Sequence, residues 1–104
     1  MTDTPSAELD DLIAEATIDA YDTSEQLMGF FNMIEEHLAV PFKTTILGLT
    51  ITVESVMHDD SRFVAECVRG EHRQTVDLRD LPIPSPPPAG SQWIAAYCRW
   101  ARRQ

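Results

Sequence analysis

The sequence predicts an α+β domain: two helices at the N-terminus, a small antiparallel and partly closed barrel, and one C-terminal helix. Three observations point there. Apolar residues recur at helical spacing in the first forty residues, alternate from Leu47 onward, and return to helical spacing after a proline-rich run. A chain of 104 residues is long enough for one domain with a modest core.

Residues 1–5 read as a frayed terminus. From Ser6, a good N-cap, the residues Leu9, Leu12, Ile13 and Ala16 make one stripe of a helix. Asp22-Thr-Ser-Glu25 reads as a capping box that starts a second helix, with Leu27, Phe31, Ile34 and Leu38 on its apolar face. Gly29 inside that helix costs about 1 kcal/mol relative to alanine, so something is expected to pack close to it. Val40 before Pro41 is biased to extended backbone, which ends the helix. The two helices meet in a corner at Ala20-Tyr21.

The period then changes. Leu47, Leu49, Ile51, Val53 and Met57 lie opposite Thr50, Thr52 and Glu54, as in a half-buried strand. His58-Asp59-Asp60-Ser61 is turn chemistry. Phe63, Ala65 and Cys67 line a second strand, Gly70-Glu71 a tight turn, and Gln74, Val76 and Leu78 a third strand. Residues 82–90 form a stiff Pro-rich connector that cannot continue a sheet. Ser91 is expected to cap the last helix. Its Trp93 and Trp100, seven residues apart, share a face that either closes the core or meets a partner.

Composition excludes several classes. With 43% apolar and 24% charged residues, the chain is globular rather than disordered. No apolar run reaches the roughly 18 residues of a membrane span, and the acidic N-terminus is unlike a secretory signal, so a cytoplasmic protein is expected. Cys67 and Cys98 fit free thiols in a reducing compartment, although two cysteines could also pair. The net charge of −9 is unevenly placed: residues 1–60 hold 13 acids against Lys43 alone, while residues 61–104 hold 4 acids against 7 arginines. Such a first half argues against nucleic acid and favours a cation or a basic protein surface. No zinc spacing, nucleophile elbow, P-loop or dinucleotide fingerprint occurs, so no enzyme is expected.

The chemistry therefore concentrates in carboxylates. Asp19 at the end of one helix, with Asp22 and Glu25 at the start of the next, could converge on a hard divalent cation, which takes several oxygens. The plain alternative is local: Asp22 and Glu25 cap, and Asp19 is solvated. The residues alone favour the plain alternative, and no EF-hand loop is present. Asp59-Asp60, with Glu54 and His58 near by, is a second candidate that reads more simply as an exposed turn.

The stretch from Ile18 to Phe42 resembles the signature of the small bacterial calcium-binding proteins known as the CcbP family. The resemblance rests on Ile18, Asp19, Ala20, Tyr21, Asp22, Glu25, Gln26 and Gly29, then Phe30-Phe31, Glu35-Glu36 and Pro41-Phe42. A strand meander follows there, as it does from Leu47 to Leu81 here. The Arg-rich C-terminal helix has no counterpart in that pattern. The resemblance implies an acidic, non-EF-hand calcium binder whose strands curl into an SH3-like barrel. It makes Asp19, Asp22 and Glu25 the first ligand candidates, with Glu35 and Glu36 behind them. The expected function is reversible calcium binding as an intracellular buffer or sensor. The alternative is an SH3-like interaction module without metal, meeting a protein partner through the barrel or the Trp93/Trp100 helix.

Overall fold

In the computed structural model, which describes residues 5–104, the first two helices form where the helical spacing places them. The expected frayed terminus lies, apart from Pro5, outside the described residues. Helix α1 spans Ser6–Ala16. Pro5 takes the N-cap position and no side chain caps the helix, so Ser6 is its first residue rather than its cap. Proline suits this start because its fixed φ is already compatible with a helix entrance. Helix α2 spans Thr23–His37, and Asp22 caps it, its Oδ1 accepting from the Glu25 N–H at 2.8 Å. The reciprocal bond of a full capping box is not found among the described residues. Gly29 is required by the crossing of α1 and α2: a methyl there would collide with the Ala16 carbonyl.

Four strands follow, β1 (Phe42–Ile46), β2 (Leu49–Asp59), β3 (Arg62–Arg69) and β4 (His72–Asp77), in an antiparallel meander of order β1-β2-β3-β4. The first strand expected, from Leu47 to Met57, is β2, and β1 before it was not anticipated. Leu47 and Gly48 both adopt left-handed backbone and turn the chain, bringing Ile46 opposite Leu49. The alternation through Leu47 concealed this turn. A register shift between Val53 and Ser55 then inserts an extra residue in β2. Such a bulge reverses which side chains face inward. Val56 therefore packs against the core while Met57, expected on the apolar face, is exposed. Leu78, assigned to the third strand, instead opens a 3-10 turn (Leu78–Asp80) that Asp77 caps. It is buried all the same.

The sheet does not close into the expected SH3-like barrel. After the 3-10 turn the chain returns beside β1 and touches it where Thr44 Oγ1 donates to the Pro82 carbonyl at 2.6 Å. Pro82 and Pro84 have no N–H to build a ladder, so a closing strand cannot form there. Helix α3 (Ser91–Arg102) then covers the core. Gly90, at φ 87°, is its N-cap in place of Ser91, and no side chain caps it.

The core gathers Phe30 and Ile34 from α2, Val53 and Phe63 from the sheet, Leu78, and Tyr97 from α3. Tyr97 stacks tilted on Phe63 with ring centroids 4.5 Å apart. Trp93 and Trp100 are only 4% and 6% exposed, so their face closes the core and is not the partner surface of the alternative reading. Trp100 Nε1 donates to Gln26 Oε1 at 2.9 Å, fixing α3 on α2. The C-terminal arginines tie α3 to α1: Arg99 Nε and Arg103 Nη2 donate to Asp10 at 3.0 and 2.9 Å. Those two guanidiniums hold the Asp10 carboxyl below its ordinary range. Cys67 and Cys98 are both free thiols.

Candidate cation site at the helix corner

The corner is shaped by one backbone feature and one close approach. Asp19 adopts φ 60°, a left-handed conformation that Asp tolerates better than most residues, and this reverses the chain after α1. The missing side chain at Gly29 lets α2 sit directly against the end of α1. Between them lies an open cleft of about 360 Å³ whose polar lining is Asp19, Ser24, Glu25 and Asn32. No lysine, arginine or histidine lines it.

The structure brings together two of the three expected carboxylates. Asp19 and Glu25 line the cleft, whereas Asp22 does not, and its Oδ1 is committed to the Glu25 amide. Among the described residues no group of three or more His, Cys, Asp or Glu side chains is gathered closely enough to hold a metal ion. The converged cluster expected from the spacing is therefore not assembled. Asp22 serves the helix that positions Glu25.

Glu35 and Glu36 do not belong to the corner. They lie near the other end of α2, about 15 Å along the helix axis from Glu25 at 1.5 Å per residue. Glu35 edges a separate shallow cleft beside Val40 and Ser55, and Glu36 lies 3.9 Å from the His37 ring. The second candidate is not assembled either. Asp59 pairs with Arg62 at 3.3 Å, Asp60 turns the β2–β3 hairpin at φ 57°, and Glu54 pairs with Arg73 at 2.9 Å. His58 packs its ring near Phe31 and Phe63 instead of facing the carboxylates.

Two oxygen donors escaped the sequence reading, Ser24 and Asn32. Asn32 was findable: it follows Glu25 by seven residues, which places both on one face of a helix. Ile18 and Tyr21 are 73% and 86% exposed, so the apolar members of the corner stretch project from it and do not build the core.

Chemically the cleft offers two carboxylates, a hydroxyl and an amide oxygen, with no thiol or ring nitrogen and the Met28 thioether as its one sulfur. That is the donor set of a hard cation, with backbone carbonyls and water available to complete an irregular shell.

No family model and no curated sequence matches the chain. Among solved structures it is similar to a calcium-binding protein in its calcium-binding form, with a TM-score of 0.70 and 22% identity. The likeness covers 96% of this chain and 97% of the other, so the two share the fold from end to end. Among the described residues no helix is long and apolar enough to cross a membrane.

Proposed function

We propose that this chain binds calcium reversibly at the α1–α2 corner, as a buffer or sensor of the CcbP type. Asp19 and Glu25 are its charged ligands, Ser24 and Asn32 add neutral oxygens, and Asp22 fixes the start of α2 while contributing negative charge. The corner cleft carries the reading: it is lined by oxygen donors and lacks a cation of its own. The end-to-end likeness to a calcium-binding protein supports it. The alternative of a metal-free interaction module is weakened by the burial of Trp93 and Trp100. What remains of that alternative is the uncovered end of the sheet, where Leu47 is 97% exposed.

The test is a calorimetric calcium titration of chelator-stripped protein. Asp19→Asn and Glu25→Gln should each weaken binding by about tenfold or more, because affinity at such sites follows ligand charge. Asp59→Asn should leave it unchanged. Asp22→Asn is the informative control, since Asn caps a helix about as well as Asp. It should fold normally and bind calcium less tightly only through the lost charge. Equal affinity in all four variants, or no binding heat in the parent, would remove the corner as a calcium site.

A further inference from the structure

A second concavity, of about 310 Å³, opens where the β2–β3 turn, the 3-10 turn and α3 meet the first residue of α2. Its chemistry is the reverse of the corner's. In a chain of 17 acids against 8 lysines and arginines, its lining holds Arg62 and Arg79 and no aspartate or glutamate.

Asp77 holds Arg79 in place and stands beside Arg62. Arg79 Nε and Nη2 donate to its two oxygens at 3.1 and 2.9 Å, which leaves Nη1 free to donate elsewhere. Arg62 Nη1 stands 3.7 Å from the same carboxylate. One largely buried carboxylate thus fixes the Arg79 guanidinium and lies beside that of Arg62. The remaining pair, Arg62 with Asp59 at 3.3 Å, is an exposed contact of the kind that water and salt weaken, so an incoming anion can compete for Arg62.

Three hydroxyls, from Thr23, Ser61 and Tyr97, and Gln104 add further polar groups to the lining. Thr23 is also the first residue of α2, at the positive end of its dipole. Trp100 and Ala101 supply an apolar wall beside these donors.

From this arrangement we infer that the concavity between Arg62, Arg79 and Tyr97 binds a phosphate group carried on a small, partly apolar molecule. A tetrahedral dianion has enough acceptor oxygens to meet two guanidiniums and several hydroxyls at once, and such charge-assisted bonds are the strong ones. The site is independent of the calcium reading.

The probe is phenyl phosphate, which combines the dianion with an apolar ring that suits the Trp100 wall. It is titrated into ¹⁵N-labelled protein and followed by the Trp100 indole and the Thr23 and Arg62 amide signals. Saturable shifts confined to these signals are expected, with none from sodium chloride at matched ionic strength. Arg62→Gln should weaken the interaction by about tenfold or more while leaving the melting midpoint nearly unchanged, because Arg62 is half exposed. Arg79→Lys should weaken it too, by losing the fork but keeping the charge. Should that variant fail to fold, Arg62→Gln alone decides. Absence of saturation, reproduction of the shifts by sodium chloride, or unchanged affinity in Arg62→Gln would each overturn the inference.

Discussion

Replacing Trp93 by alanine should cost about 3–5 kcal/mol of stability, the usual range for a large aromatic removed from a packed core. Trp93 stands in the first turn of α3, is 4% exposed, and stacks on His37 with ring centroids 5.8 Å apart and planes 19° from parallel. Its removal opens a cavity at the junction of α3 with the C-terminal end of α2. A domain of this size is typically stable by only about 5–15 kcal/mol, so the loss takes a large share. Urea unfolding followed by the remaining Trp100 fluorescence measures it as a lower midpoint with an unchanged slope. A variant as stable as the parent would mean that this face is not closing the core, and the interaction-module reading would recover its surface.

Gly90→Ala should be nearly as damaging, by a different route. Gly90 sits at φ 87°, where an L side chain is strained by roughly 1–3 kcal/mol. Its added methyl would also meet the His37 carbonyl and the Leu38 Cα, both backbone atoms with no side-chain freedom to move aside. Next to it, the Ala39 N–H donates to the Ala89 carbonyl at 2.8 Å, so displacement of Gly90 breaks a contact that docks the connector on α2. A total loss of about 3 kcal/mol or more is expected, read as a drop in melting midpoint of the order of 10 °C or more. Gly48→Ala separates the two causes. It has a similar φ of 79° with nothing within reach of the methyl, so it should suffer the strain without the collision. Equal losses at both glycines would show that the packing of Gly90 contributes nothing.

The helical half of the fold was legible because its signals are local. Asp22 caps α2, the stripe through Leu27 and Ile34 is buried, and the close packing expected at Gly29 is met by the Ala16 carbonyl. The strands were legible in kind but not in bounds. Leu47 continues an apolar alternation yet occupies a left-handed turn position where Asn, Asp or Gly would have announced a hairpin. The bulge after Val53 has no residue signature at all, and it moves Met57 outward. Openness of the sheet could have been read from Pro82 and Pro84, which rule out a hydrogen-bonded closing strand.

At the corner, Asp19 and Glu25 line one cleft, as their spacing suggested, while Asp22 lies outside it. A capping aspartate and a solvated one look identical in sequence, and only the bond that the Glu25 amide donates to Asp22 shows which this is. Ser24 and Asn32 were passed over because neutral oxygens carry no charge pattern. The C-terminal arginines were also ambiguous. Two of them serve Asp10, a partner 89 and 93 residues away in the chain, which no local rule could reveal.

Calcium binding at the corner is tested most directly by thermal stability. A ligand that binds only the folded form stabilises it by about 2.7 kcal/mol at a hundred times its dissociation constant. For a domain of this length each kcal/mol moves the midpoint by roughly 4–8 °C. Millimolar calcium should therefore raise the melting midpoint by on the order of 10 °C or more, and the Asp19→Asn variant should lose most of that rise. Simple screening of the 13 acids before residue 61 would act through any salt, so the comparison is a melt in sodium chloride at matched ionic strength. The calcium curve should lie well above the sodium curve; coincident curves would contradict calcium binding and leave the acidic corner a solvated surface.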